Sequence, residues 1–136
     1  MVCYIQKLNC CHKKGNVTER LLKIICMQVS LRIACPFCID MNSSKFRQFY
    51  ITDEEIQGMQ GLIPIKDIDT FSRKEKLTIY YIRGLVRTPI KHNPEVVSRM
   101  TKIFTEKEFA TIVTTIAQVD YWTRIIQGFG IQPAGF

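Results

Sequence analysis

Two cysteines stand three apart in the stretch RIACPFCIDMN, Arg32 to Asn42, with Pro36 and Phe37 between them. At this spacing two sulfurs come within bonding reach, the geometry of a dithiol that attacks, forms a mixed bond and resolves it internally. Proline is tolerated at the first position of a helix and pushes the residue before it out of helical geometry. That makes Cys35 the N-cap, Pro36 the first helical residue and Cys38 a member of the first turn. Unpaired N–H groups and the positive end of the helix dipole favour a thiolate there. Asn42 follows Cys38 by four residues and Cys35 by seven, so the three share one helical face. Its amide can donate a hydrogen bond to a thiolate or hold a water but neither takes nor gives up a proton near neutral pH.

The same residues allow blander roles. A Cys-X-X-Cys is half of many zinc sites, which usually want four ligands. The other cluster, Cys10-Cys11-His12, lacks ligand spacing, so neither a metal nor another cofactor is expected. Two inert buried thiols are a further reading, since free cysteine packs as a small hydrophobe. Cys26 falls on the apolar face of a predicted helix and is read as core. Cys3, Cys10 and Cys11 receive no role, and His12 and His92, at a helix end and in the loop PIKHNPE, lie far from the pair in sequence.

The elements that must hold the pair read as helices throughout. Thr52, Ser72 and Thr105 are each followed three residues later by Glu55, Glu75 and Glu108, the signature of a capping box, and Asn16 stands in the same relation to Glu19. Asn93-Pro94-Glu95 gives a capping side chain with proline at the first helical position. Apolar residues follow at spacings of three and four: Leu21, Ile25, Val29 and Ile33; Leu77, Tyr80, Tyr81 and Leu85; Phe109, Ile112, Val113, Ile116 and Val119. Gly15, Gly61 and Gly130 sit where helices should stop. The pattern predicts helices over 2–12, 17–34, 36–50, 53–60, 72–88, 94–103 and 106–127, an all-α chain of six to seven helices forming one domain over 1–136. The loop GLIPIKDIDT still carries apolar residues and is expected to pack on the core.

Composition narrows the function. At 46% apolar and 23% charged, the 136 residues suit one globular core. The net charge of +7 comes from scattered residues, with no run resembling a nucleic-acid tail, so no nucleic-acid partner is expected. No apolar run reaches the roughly 18 residues that span a bilayer. The segment Leu21 to Ala34 is broken by Lys23, Gln28 and Arg32. The opening MVCYIQKLNCCHKK is unlike a signal peptide, and six cysteines without one point to a reducing, cytoplasmic setting and no membrane.

Several stretches carry a family resemblance: ERLLKIICMQVSLRIACPFCIDMN, FYITDEEIQGM, FSRKEKLTIYYIRGLVRTP and FTEKEFATIVTTIAQVDYWTRIIQGFGIQP. From about Asn16 to Pro133 the chain resembles the alkylhydroperoxidase D-like group of the carboxymuconolactone decarboxylase fold. The resemblance implies an all-α fold assembled as trimers, or hexamers of trimers. It implies peroxide reduction, or electron transfer to a peroxiredoxin, with Cys38 as the attacking thiolate and Cys35 closing the disulfide. The implied electron donor is a dithiol, either a lipoylated protein or a thioredoxin-like one. Two positions depart from the pattern. The group's histidine four after the second cysteine is Asn42 here, and its glutamate twelve before the first is Lys23. Both members of the implied proton relay are missing. An inward-pointing Lys23 would favour a Cys38 thiolate by its charge without accepting a proton, and Glu19 is placed to pair with it. The alternative function is therefore a catalytically impaired family member that acts as an oligomeric binding protein.

Overall fold

The computed structural model describes residues 17–91 and 93–136. The predicted helix over 2–12, with Cys3, Cys10, Cys11 and His12, lies outside them, as does His92. Among the described residues six α-helices follow one another: α1 Glu19–Ile33, α2 Pro36–Ser43, α3 Asp53–Gln60, α4 Arg73–Leu85, α5 Pro94–Ile103 and α6 Glu106–Gly128. Short 3₁₀ turns occupy Phe46–Phe49 and Ile65–Asp67, and no strand occurs among the described residues. The all-α expectation holds.

Helix starts follow the capping chemistry. Thr52, Ser72 and Thr105 accept the backbone N–H three residues on, and Glu55, Glu75 and Glu108 reach back to the cap N–H, closing three capping boxes. Asn93 accepts from Glu95 and Val96, with Pro94 behind it. At α1 the cap is Thr18, which accepts from Leu21 N, and Asn16 lies outside the described residues.

Two predicted helices end early. The span 36–50 divides, because α2 stops at Ser43 and Lys45 and Tyr50 take left-handed backbone around the 3₁₀ turn. Ser44 Oγ competes for a backbone carbonyl there, donating to Met41 O at 2.8 Å. The span 72–88 stops at Leu85, since Thr88 precedes a proline and is pushed out of helical geometry. The loop turns back so that Lys91 N donates to Gly84 O at 3.0 Å.

α1 is the central element and packs on α2, α4 and α6. Its two sides serve two cores. Leu21, Ile25 and Val29 join Leu77, Ile82, Met100, Phe104, Ile112 and Ile116, while Ile24 and Met27 join Ile51, Met59, Ile65, Ile68, Phe71 and Ile79. Ile65 and Ile68 come from the loop GLIPIKDIDT, which packs inward as expected.

The two cores are tied by one half-buried cation. Arg20 reaches Glu55 at 2.5 Å and Glu75 at 2.7 Å, the same carboxylates that close the caps of α3 and α4. Its Nη1 also donates to the Tyr50 carbonyl. A guanidinium fork satisfies both carboxylates at once, so the N-termini of α3 and α4 are locked to the first turn of α1.

Candidate active site

The turn from α1 to α2 builds the cysteine site. Ala34 takes left-handed backbone at φ 56° and ends α1. Cys35 N then donates to Ser30 O at 3.4 Å, and Pro36 starts α2. Cys35 is the N-cap, as its position before the proline predicts, and its sulfur accepts Cys38 N at 3.3 Å. The sulfurs of Cys35 and Cys38 share a hydrogen bond at 2.6 Å and are free thiols.

Both sulfurs are covered. Cys35 is 1% exposed and Cys38 2%, packed with Ile126 of α6, Phe37 and Ile131. The segment beyond α6 lies across them. Asp40 Oδ2 accepts Gly135 N at 2.7 Å and Phe136 N at 3.3 Å, and the Phe136 ring meets Phe37 edge-on at 5.4 Å.

This burial reverses one expectation. Burial pushes the Cys38 thiol up to about 12, the contact with Cys35 acts the same way, and the Thr123 hydroxyl acts against both. The N–H that a Cys38 thiolate would draw on at the helix start is given to Cys35 instead. The resting form of Cys38 is the thiol.

The two supporting positions face elsewhere. Asn42 Nδ2 donates to Ser30 Oγ at 2.8 Å, and Ser30 Oγ donates to Cys26 O at 2.8 Å. Asn42 thus pins α2 to α1 behind the cysteines. Lys23 Nζ donates to Ser44 O at 2.8 Å and stands over the Phe49 ring. Its electrostatic partner is Cys26, not Cys38, and burial lowers its pKa. Among the described residues Glu19 forms no ion pair with it. Cys26, read from the sequence as core, is half-buried on α1, and desolvation raises its thiol to about 11.

Thr123 is the residue that the sequence did not single out. It is fully buried, stands against Cys38 from α6, and donates its hydroxyl to Val119 O. Among the described residues no group of three or more His, Cys, Asp or Glu side chains is placed to hold a metal ion.

No protein-family model matches the sequence. An uncharacterized protein of Bacillus subtilis, YdfG, is 26% identical over 123 residues, 90% of this chain and 82% of that protein. A protein of unknown function from Agrobacterium tumefaciens, described as a candidate antioxidant defence protein AhpD, superposes with a TM-score of 0.79 at 17% identity, covering 98% of this chain and 90% of that one. The debrominase Bmp8, solved as a cysteine-to-alanine variant with 2,3,4-tribromopyrrole, gives a TM-score of 0.82 at 14% identity over 98% of this chain and 70% of that one. At these identities the likeness speaks for the fold. The chain therefore has the all-helical fold of these two solved proteins, the fold that the sequence resemblance implies.

Proposed function

We propose that the protein is a thiol–disulfide oxidoreductase that works through Cys35 and Cys38, with a peroxide as oxidant. The observation that carries this reading is the pair itself: two free thiols 2.6 Å apart at a helix start, one capping the other's N–H. In the reaction, Cys38 loses its proton and its sulfur attacks a peroxide oxygen. The S–O bond forms as the O–O bond breaks, the departing alkoxide takes up a proton, and Cys38 is left as a sulfenic acid. The Cys35 thiolate attacks the Cys38 sulfur and expels hydroxide, which leaves as water. The disulfide is then reduced by thiol exchange with a dithiol donor, a lipoylated or thioredoxin-like protein. A peroxiredoxin disulfide can replace peroxide as the acceptor in the same scheme. The antioxidant description of the Agrobacterium neighbour agrees with this chemistry.

A second reading has a specific observation in its favour. The thiols are almost fully covered, Cys38 is held protonated, and neither Asn42 nor Lys23 supplies a base. That is the arrangement of a binding scaffold whose pair no longer turns over. One experiment separates the two. Free thiols are counted before and after one equivalent of hydrogen peroxide, in the wild type and Cys38→Ser. Loss of two thiols together, restored by dithiothreitol and abolished in Cys38→Ser, establishes the redox cycle. A pair that stays reduced establishes the scaffold.

A further inference from the structure

A groove of about 450 Å³ opens between the C-terminal half of α4, the loop that follows it and the first two turns of α5. This volume lies within the range of small-molecule sites, roughly 300–1,000 Å³. None of the residues around the dithiol lines it. Its apolar wall is made by Leu77, Tyr80, Tyr81, Ile90 and Val96. Leu77 is buried in the core, whereas Tyr80 and Ile90 remain 43% and 63% exposed. Two apolar side chains are thus held open to solvent on a wall that the core does not close.

The wall is shaped by a backbone clasp. Lys91 N donates to Gly84 O at 3.0 Å and draws the loop over α4. A Cβ on residue 84 would meet Lys91 O at 2.9 Å. Only glycine lets the loop close this far, so the groove has a fixed edge.

Its charge is one-sided. Arg83, Arg87, Lys91 and Arg99 line it against the single carboxylate of Glu95. Among the described residues no carboxylate forms an ion pair with any of the four cations. Arg83 donates to Gly58 O at 2.8 Å, which anchors it at the end of α3. Burial and the like charge of Arg32 both work against its ionised form. Cations gathered at an apolar groove without counter-charges are stabilised by an anion placed among them.

We infer that the groove between α4 and α5 binds a small amphipathic organic anion, whose apolar body lies on Tyr81, Ile90 and Val96 and whose anionic head meets Arg87, Lys91 and Arg99. The dithiol reading plays no part in this site.

Decanoate is the probe, titrated below its micelle concentration into the full chain and followed by backbone amide shifts. Saturable shifts at Gly84, Lys91 and Val96 are expected, with decanoate at least tenfold tighter than decanol or decyltrimethylammonium. Arg87→Ala with Arg99→Ala, both exposed positions, should weaken decanoate at least tenfold while the circular dichroism spectrum is unchanged. The inference is overturned by any of four results. These are no saturation, equal binding of decanol, shifts centred on Cys35 to Asn42, or groove shifts that follow protein concentration without ligand, which would make the groove a contact between copies.

Discussion

At the residue scale the chemistry turns on where one proton sits. Cys38 is held as a thiol by burial and by its neighbour, with a pKa of about 12 against an ordinary 9.0. A thiolate reacts and a thiol does not, so below the raised value the reactive fraction climbs with pH. The rate of Cys38 with iodoacetamide or peroxide should therefore rise about tenfold per pH unit from pH 7 to pH 10, without a plateau. A plateau near neutrality would show that something on the protein lowers this pKa after all. Thr123 is the group that opposes the rise. Its hydroxyl has one proton, now given to Val119 O, and turning that proton to the sulfur is what would stabilise a thiolate. A hydrogen bond to a charged group is worth about 1.5 kcal/mol or more. Thr123→Val should accordingly slow Cys38 roughly tenfold at fixed pH, while Thr123→Ser keeps the wild-type rate. Equal rates in all three would remove Thr123 from the chemistry. The cap geometry around Pro36 was legible in the sequence because it is local. Thr123 was not, because only the packing of α6 on α1 and α2 brings it to Cys38. The inward reading of Lys23 failed for a visible reason. Lys23 and Cys26 are three apart and share a face of α1, and the lysine meets that thiol and the Ser44 carbonyl instead.

At the scale of elements, two contacts hold the site in place. The first is Arg20 with Glu55 and Glu75. Glu55 is fully buried, and both carboxylates already serve helix caps. Removing the cation leaves two uncompensated carboxylates side by side. Such a loss costs about 3–5 kcal/mol, and Arg20→Met should show it as a lower midpoint in urea. A change under about 1 kcal/mol would mean that the triad holds little. The capping boxes were legible in the sequence as motifs, yet their sharing of one arginine was not, since three separate helices must converge to make it. The second contact is the segment 131–136 across the dithiol, latched by Asp40 to Gly135 and Phe136. Asp40→Ala removes the acceptor without touching either sulfur. Labelling of Cys35 and Cys38 by a bulky maleimide should speed up several-fold, with little change for the half-buried Cys26. Unchanged labelling would show that access to the pair is not set by this latch.

For the whole molecule, the question is what α6 faces on its outer side. Its inner face buries Ile112, Thr115, Ile116, Thr123 and Ile126. The outer side is mixed: Thr114 and Arg124 are exposed beside Ala110 and Ala117, Val113, Trp122 and Ile125 are half-buried, Tyr121 is 59% exposed, and Phe129 just past the helix end is 80% exposed. Contiguous exposed apolar surface marks an interaction site. In the sequence the run FATIVTTIAQV reads as a helix with one face buried, from its apolar spacing of three and four. Periodicity found the inner face; it had no means of saying what covers the outer one. A second copy of the chain is the simplest cover, in line with the trimer implied by the resemblance. Light scattering should give about three times 15.8 kDa, or a larger multiple. Tyr121→Arg places a charge on that face and should dissociate the assembly with the helical content intact. Trp122, the chain's single tryptophan, packs edge-on against Tyr121 at 5.4 Å. Its fluorescence should shift to longer wavelength as the wild-type protein is diluted, and already be shifted in Tyr121→Arg. A monomeric mass at high concentration would sink the assembly and leave the outer face of α6 as open apolar surface.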